Sequence, residues 1–179
     1  MKKNQRLTLW LESWRLDSET DLPPELCAFV ALFNEGSYYE AHDVLEHLWL
    51  RCTDERRSFL QALIQLAGAF VHFQKHRLHP AHPTHGRRLS PGARLLELAT
   101  RRMAPYGSRY LNLDVSCLIE SCTRWKQLAH DAVNPLEYAP APRLAGSDVA
   151  FPSEPATMRA PRIQFGRDAN PQDLPDSAL

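Results

Sequence analysis

The chain has 179 residues, 44% of them hydrophobic, and its 21 Lys and Arg balance 21 Asp and Glu. That suits one soluble domain with an appendage, and zero net charge without a long basic run withholds the phosphate footprint of a nucleic-acid-binding protein. No stretch approaches the roughly 20 apolar residues that a bilayer span needs. The basic start, Met1 to Arg6, leads into Glu12, Arg15 and Asp17 and not into an apolar leader, so a cytoplasmic location is the expectation.

In chain order, Leu7, Trp10, Leu11 and Trp14 recur at helical spacing and predict a first helix over 6–14. Asp21-Leu22-Pro23-Pro24 breaks it, a second helix follows over 25–33, and Asn34-Glu35-Gly36 stops that one. Ser37 with Glu40 three residues on reads as a capping box for a third helix over 38–51, which gives Glu40 a structural task. Cys52-Thr53-Asp54 then turns the chain into a long fourth helix over 55–75. Ser90-Pro91 predicts an N-cap and first-turn proline for a fifth helix through Met103, and Asp114 caps a sixth that ends near Ala129. No period-two run of useful length appears, so strands are not expected.

From Asn134 to Leu179 the composition changes, with eight of the fourteen prolines and little apolar periodicity. Such a segment buries too little surface to offset its ordering entropy. The expected organisation is therefore a single all-α bundle of five to six helices over 1–133, followed by an extended or disordered Pro-rich tail over 134–179. The tail can drape on the bundle through Phe151, Ile163 and Phe165, and Pro161 to Phe165 has the character of a docking peptide. A protein partner or a homo-oligomer would be met through this tail or through exposed aromatics such as Trp10 and Trp14. Cys27, Cys52, Cys117 and Cys122 form no Cys-x-x-Cys motif and read as buried reduced thiols.

The candidate site lies on the third and fourth helices. At about 100° per residue, Gln61, Gln65, Gly68, His72 and His76 share an arc of roughly 80° on a helix that is otherwise apolar, which makes it the central one. On the third helix His42 and Glu46 fall within roughly 40° of each other at the edge of the face marked by Ala41, Leu45, Leu48 and Trp49, while Asp43, His47 and Glu40 turn away. Buried polar groups are costly unless they satisfy one another or bind something. Two readings of His42, Glu46, Gln61, Gln65 and His72 therefore compete: a hydrogen-bond network that fixes the register of two helices, or a small site for a ligand.

In the metal version His42, Glu46 and His72 hold one divalent ion with a position left open for water. The order His42-Asp43-Val44-Leu45-Glu46 is not the His-Glu-x-x-His metalloprotease pattern, and Gln is a poor zinc ligand. Catalytic candidates are then His42 and Glu46, with Glu46 activating water in a metal-assisted or acid-base hydrolase. His76, His79, His82 and His85, with Pro80 and Pro83 between them, read as a solvated loop able to bind metal only adventitiously. Whether the protein is an enzyme, and which cofactor it holds, are left open by these residues.

The run from Phe33 through Asn34, Gly36, Tyr38, Glu40, His42, Asp43 and Glu46 to Trp49, followed by Phe59-Leu60-Gln61-Ala62-Leu63-Ile64-Gln65-Leu66-Ala67 and His72, resembles the domain of unknown function 309 family. The resemblance covers about residues 25–130 and implies a small all-helical bacterial or plastid-type domain with no established activity. It places the family's polar positions on Glu40, His42, Asp43, Glu46, Gln61, Gln65 and His72. Asp43 stands where Glu is usual, Ala62 where Gly is common, and the His/Pro-rich stretch from His79 to Ser90 expands a turn that is usually short before Gly92-Ala93.

Overall fold

The computed structural model describes residues 22–138. The helix expected over 6–14, with Trp10 and Trp14, and the tail residues Phe151, Ile163 and Phe165 lie outside the described residues. Six α-helices and one two-residue strand pair make up the described fold: α1 (Pro24–Asn34), α2 (Tyr38–Arg51), α3 (Arg56–Leu78), α4 (Leu89–Met103), β1 (Arg109–Tyr110), β2 (Leu113–Asp114), α5 (Val115–His130) and α6 (Pro135–Tyr138). This is the all-α bundle that the helical periodicity predicts. No helix among the described residues is long and apolar enough to cross a membrane.

The local chemistry explains most boundaries. Pro24 opens α1, where its missing N–H leaves no hydrogen bond unmade. The helix closes in a Schellman turn: Gly36 takes φ +82, and the N–H groups of Gly36 and Ser37 return to the carbonyls of Phe33 at 3.0 Å and Leu32 at 2.9 Å. Ser37 precedes α2 as expected, but its side chain makes no cap hydrogen bond, so the capping box with Glu40 is not formed. Asp54 serves α3 instead: its carboxylate accepts from the Arg56 N–H at 2.9 Å and chelates the Arg56 guanidinium, which holds the carboxyl far below its ordinary range. Asp114 caps α5 as expected, accepting from the Cys117 N–H at 2.9 Å.

Two expectations are corrected. The helix α4 begins at Leu89 and not after Ser90, with Arg88 in the N-cap position and no side-chain cap. A minimal antiparallel hairpin pairs Arg109 with Asp114 and Tyr110 with Leu113. Its two loop residues, Leu111 and Asn112, both take positive φ, 47° and 60°, the signature of a type I′ turn. A strand pair this short has no period-two pattern to find.

The helix α3 is the hub, packed against α2 on one side and α4 on the other, while α1 packs on α2 and α5 on α4. Phe59, Leu60, Leu63, Leu66, Phe70 and Phe73 are fully or almost fully buried along it. Phe70 meets Phe33, Tyr38, Phe73 and Trp125 with ring centroids 4.9–5.6 Å apart, and burial pushes the Tyr38 phenol up to about 12. Close approach of α4 to α3 depends on Gly92, because a methyl group there would strike the buried Phe73 ring. Arg57 stacks over Trp49 at 4.0 Å and donates to the Trp49 and Cys52 carbonyls at 2.7 Å each, which locks the α2–α3 turn and satisfies the carbonyl end of α2. Arg51 pairs with the buried Glu25 and ties α1 to α2. Cys27, Cys52 and Cys122 are buried thiols, as expected, whereas Cys117 is exposed.

Packing continues past the change in composition. Asn134 is buried, donates its amide to the Phe73 carbonyl at 2.8 Å and accepts from the Leu136 N–H at 3.1 Å, and α6 rests on α3 and α5.

Candidate functional site

The polar residues singled out on α2 and α3 separate into two groups. On α2, His42, Asp43 and Glu46 gather, their ligand atoms all within 4.8 Å of one another. Consecutive residues diverge by about 100° on a helix, which is why Asp43 is expected to face away. The side chain nevertheless swings back along the helix surface, so that its Oδ1 lies 3.6 Å from His42 Nδ1. His42 and Asp43 are partly buried and keep an open edge, with side-chain exposures of 12% and 26%.

On α3, the stripe of Gln61, Gln65 and His72 turns towards α4. At one end Gln61 Oε1 accepts from the Arg102 guanidinium at 3.2 Å. At the other, His72 is buried and lies within the field of Arg88, at the N-cap position of α4, and of Lys75. Since α4 runs antiparallel to α3, these two pairings fix one register, and Gln65 occupies the stripe between them with its Oε1 buried and without a hydrogen-bond partner. The sequence pattern made α2 the natural complement of this stripe. Packing decides otherwise: Tyr38 of α2 meets Phe70 of α3 with ring centroids 5.0 Å apart, while Gln61 and His72 find Arg102 and Arg88 on the α4 side.

The His42–Glu46–His72 metal trio is accordingly divided: the residues that converge are His42, Glu46 and Asp43, and His72 is not among them. Burial, together with the Arg88 and Lys75 charges, lowers the His72 imidazole to about 4, so it is neutral at physiological pH. Glu40 remains partly buried at the start of α2 without the capping role assigned to it. Arg88 and Arg102 escape sequence reasoning, since each sits on a helix whose register against α3 only the fold supplies.

The His/Pro-rich turn is compact. His82 Nδ1 accepts from the N–H groups of Thr84 and His85 at 3.2 Å each, and the His82 and His85 rings lie 4.4 Å apart.

The fold and site thus define a helical bundle with a His/carboxylate edge on α2 and a polar stripe between α3 and α4. A family model described as Domain of unknown function (DUF309) matches residues 26–83, from the first turn of α1 into the His/Pro turn. Over this span the chain is similar to that family, and the matched span is shorter than the 25–130 over which the resemblance extends in sequence. No curated protein and no solved structure matches the chain.

Proposed function

We propose that this domain binds a small ligand at the α2 edge formed by His42, Asp43 and Glu46, with a divalent cation as the simplest occupant. The observation that carries this reading is the convergence of one imidazole and two carboxylates within 4.8 Å. Metal–ligand bonds of about 2.1 Å require the three atoms to close further by roughly 1 Å, which lies within the reach of side-chain rotation at a partly open edge. Such a site leaves positions for water or a second ligand atom, and in that case Glu46 or Asp43 is placed to accept a proton from bound water. A metal-assisted hydrolase is the reading that extends the first, with Asp43 in the place given to His72 by the sequence pattern.

Titration of Mn²⁺ into the metal-free full chain, followed by loss of the free-ion EPR signal, tests the site. Saturable binding should disappear in His42→Ala and Glu46→Gln and persist in His72→Gln. A wild-type protein that takes up no Mn²⁺ at millimolar concentration ends the cation reading. Equal loss in His72→Gln would restore the trio that the geometry divides. Hydrolysis of activated carboxylate and phosphate esters, with and without Mn²⁺, then separates binding from catalysis.

A further inference from the structure

The neutral net charge conceals a strong segregation. Between Glu55 and Glu97 there is no acidic residue, against seven Lys or Arg and five His. The fold concentrates much of this charge at one end of the bundle. His72, Lys75 and His76 share one stripe of the last turns of α3 at about 100° per residue, and His79 follows as its C-cap. The turn carrying His82, His85 and Arg87 packs back on α3 and on the start of α4, and its rings close up, with His79 and His85 5.7 Å apart. Arg88 stands at the N-cap of α4, where an acidic or hydroxyl residue is usual, and the first turn holds neither an acidic residue nor a side-chain cap.

Basic side chains on a helix N-terminus oppose the positive end of the helix dipole, so the arrangement is unfavourable without an anion and matched to one. Independent of that charge pattern, His72, His76 and His85 each bury an Nδ1 that has no hydrogen-bond partner. His72 is only 5% exposed, and an unsatisfied polar atom at that depth is costly. The same neighbours act on these groups: burial and then the Arg88 and Lys75 charges hold His72 below its ordinary range, and burial and then His82, Arg88, Lys75 and His79 do so for His85. Lys75 and Arg88 are each engaged within the fold, which holds them in place beside the imidazoles.

We propose that the junction of the α3 C-terminus, the His/Pro turn and the α4 N-terminus is an anion site that takes the phosphate group of a small molecule. Arg88 and the first N–H groups of α4 face one side of the anion. The imidazoles of His72 and His85 donate through Nδ1, and Lys75 supplies further charge. The site is separate from the His42–Asp43–Glu46 edge and stands or falls without it.

The test is titration of the full chain with inorganic phosphate at ionic strength matched by chloride, read by the ¹⁵N imidazole resonances and by calorimetry. Saturable shifts at His72 and His85 that chloride does not produce are the expected result. Arg88→Gln should weaken binding about tenfold or more, as removal of a charged hydrogen-bond donor does, while Arg94→Gln, an exposed charge further along α4, should stay within about twofold. Lys75→Gln supplies a second variant with weakened binding should Arg88→Gln not fold. Equal effects of Arg88→Gln and Arg94→Gln would reduce the site to diffuse attraction and overturn it, as would shifts that chloride reproduces. Vesicles with and without an anionic phospholipid separate a lipid headgroup from a soluble phosphate. Binding to anionic vesicles with no response to soluble phosphate would assign the patch to a surface and also overturn the proposal.

Discussion

His72 shows most directly how one residue ties the stability of this fold to pH. Its imidazole is lowered from 6.5 to about 4 in the folded protein by burial and by the Arg88 and Lys75 charges. Between those values the unfolded chain binds a proton that the folded one does not, so stability rises with pH through the window. The contribution is complete at pH 7 and is lost progressively as pH falls towards 4, on the order of 2 kcal/mol from this group. Urea denaturation at a series of pH values should show that loss, and His72→Gln should flatten it. An identical slope in both proteins would place the acid sensitivity elsewhere. That His72 is buried is legible in the sequence, because it falls on a stripe of an otherwise apolar helix. Arg88 as its neighbour is not, since 16 positions and a turn of irregular geometry separate them.

At the scale of the element, chain punctuation is what the sequence writes most clearly. The span 25–33 read between Pro24 and Gly36 corresponds to Pro24–Asn34 in the fold, and 38–51 corresponds to Tyr38–Arg51. Proline and glycine act through local sterics and therefore need no tertiary context. Caps are less legible: Asp114 caps as read, Ser37 does not, and Arg88 takes the place expected of Ser90. The end of α5 shows why. Its Schellman turn, with Val133 N–H bonded to the Leu128 carbonyl at 2.9 Å, places Ala132 at φ +58, a position that normally selects glycine. Ala132→Gly should therefore stabilise the protein by about 0.5–1 kcal/mol, measured as an increase in the denaturation midpoint. A decrease would mean that the gain in unfolded-chain entropy outweighs relief of the left-handed alanine.

Across the whole molecule, Phe70 joins α1, α2, α3 and α5 through the rings of Phe33, Tyr38, Phe73 and Trp125. Phe70→Ala should cost about 3–5 kcal/mol. If the described helices form one cooperative unit, the loss should lower the far-ultraviolet dichroism and tryptophan fluorescence transitions together. Separate transitions would divide α5 from the α1–α3 core. By itself the sequence determined the all-helical class and the central helix, because hydrophobic period and chain-breaking residues are local properties. Only the tertiary structure decided how the polar residues of α2 and α3 divide. His42, Asp43 and Glu46 share an open edge of α2, whereas Gln61, Gln65 and His72 face α4, since a helix wheel gives the angle of a residue and not the neighbour packed against it.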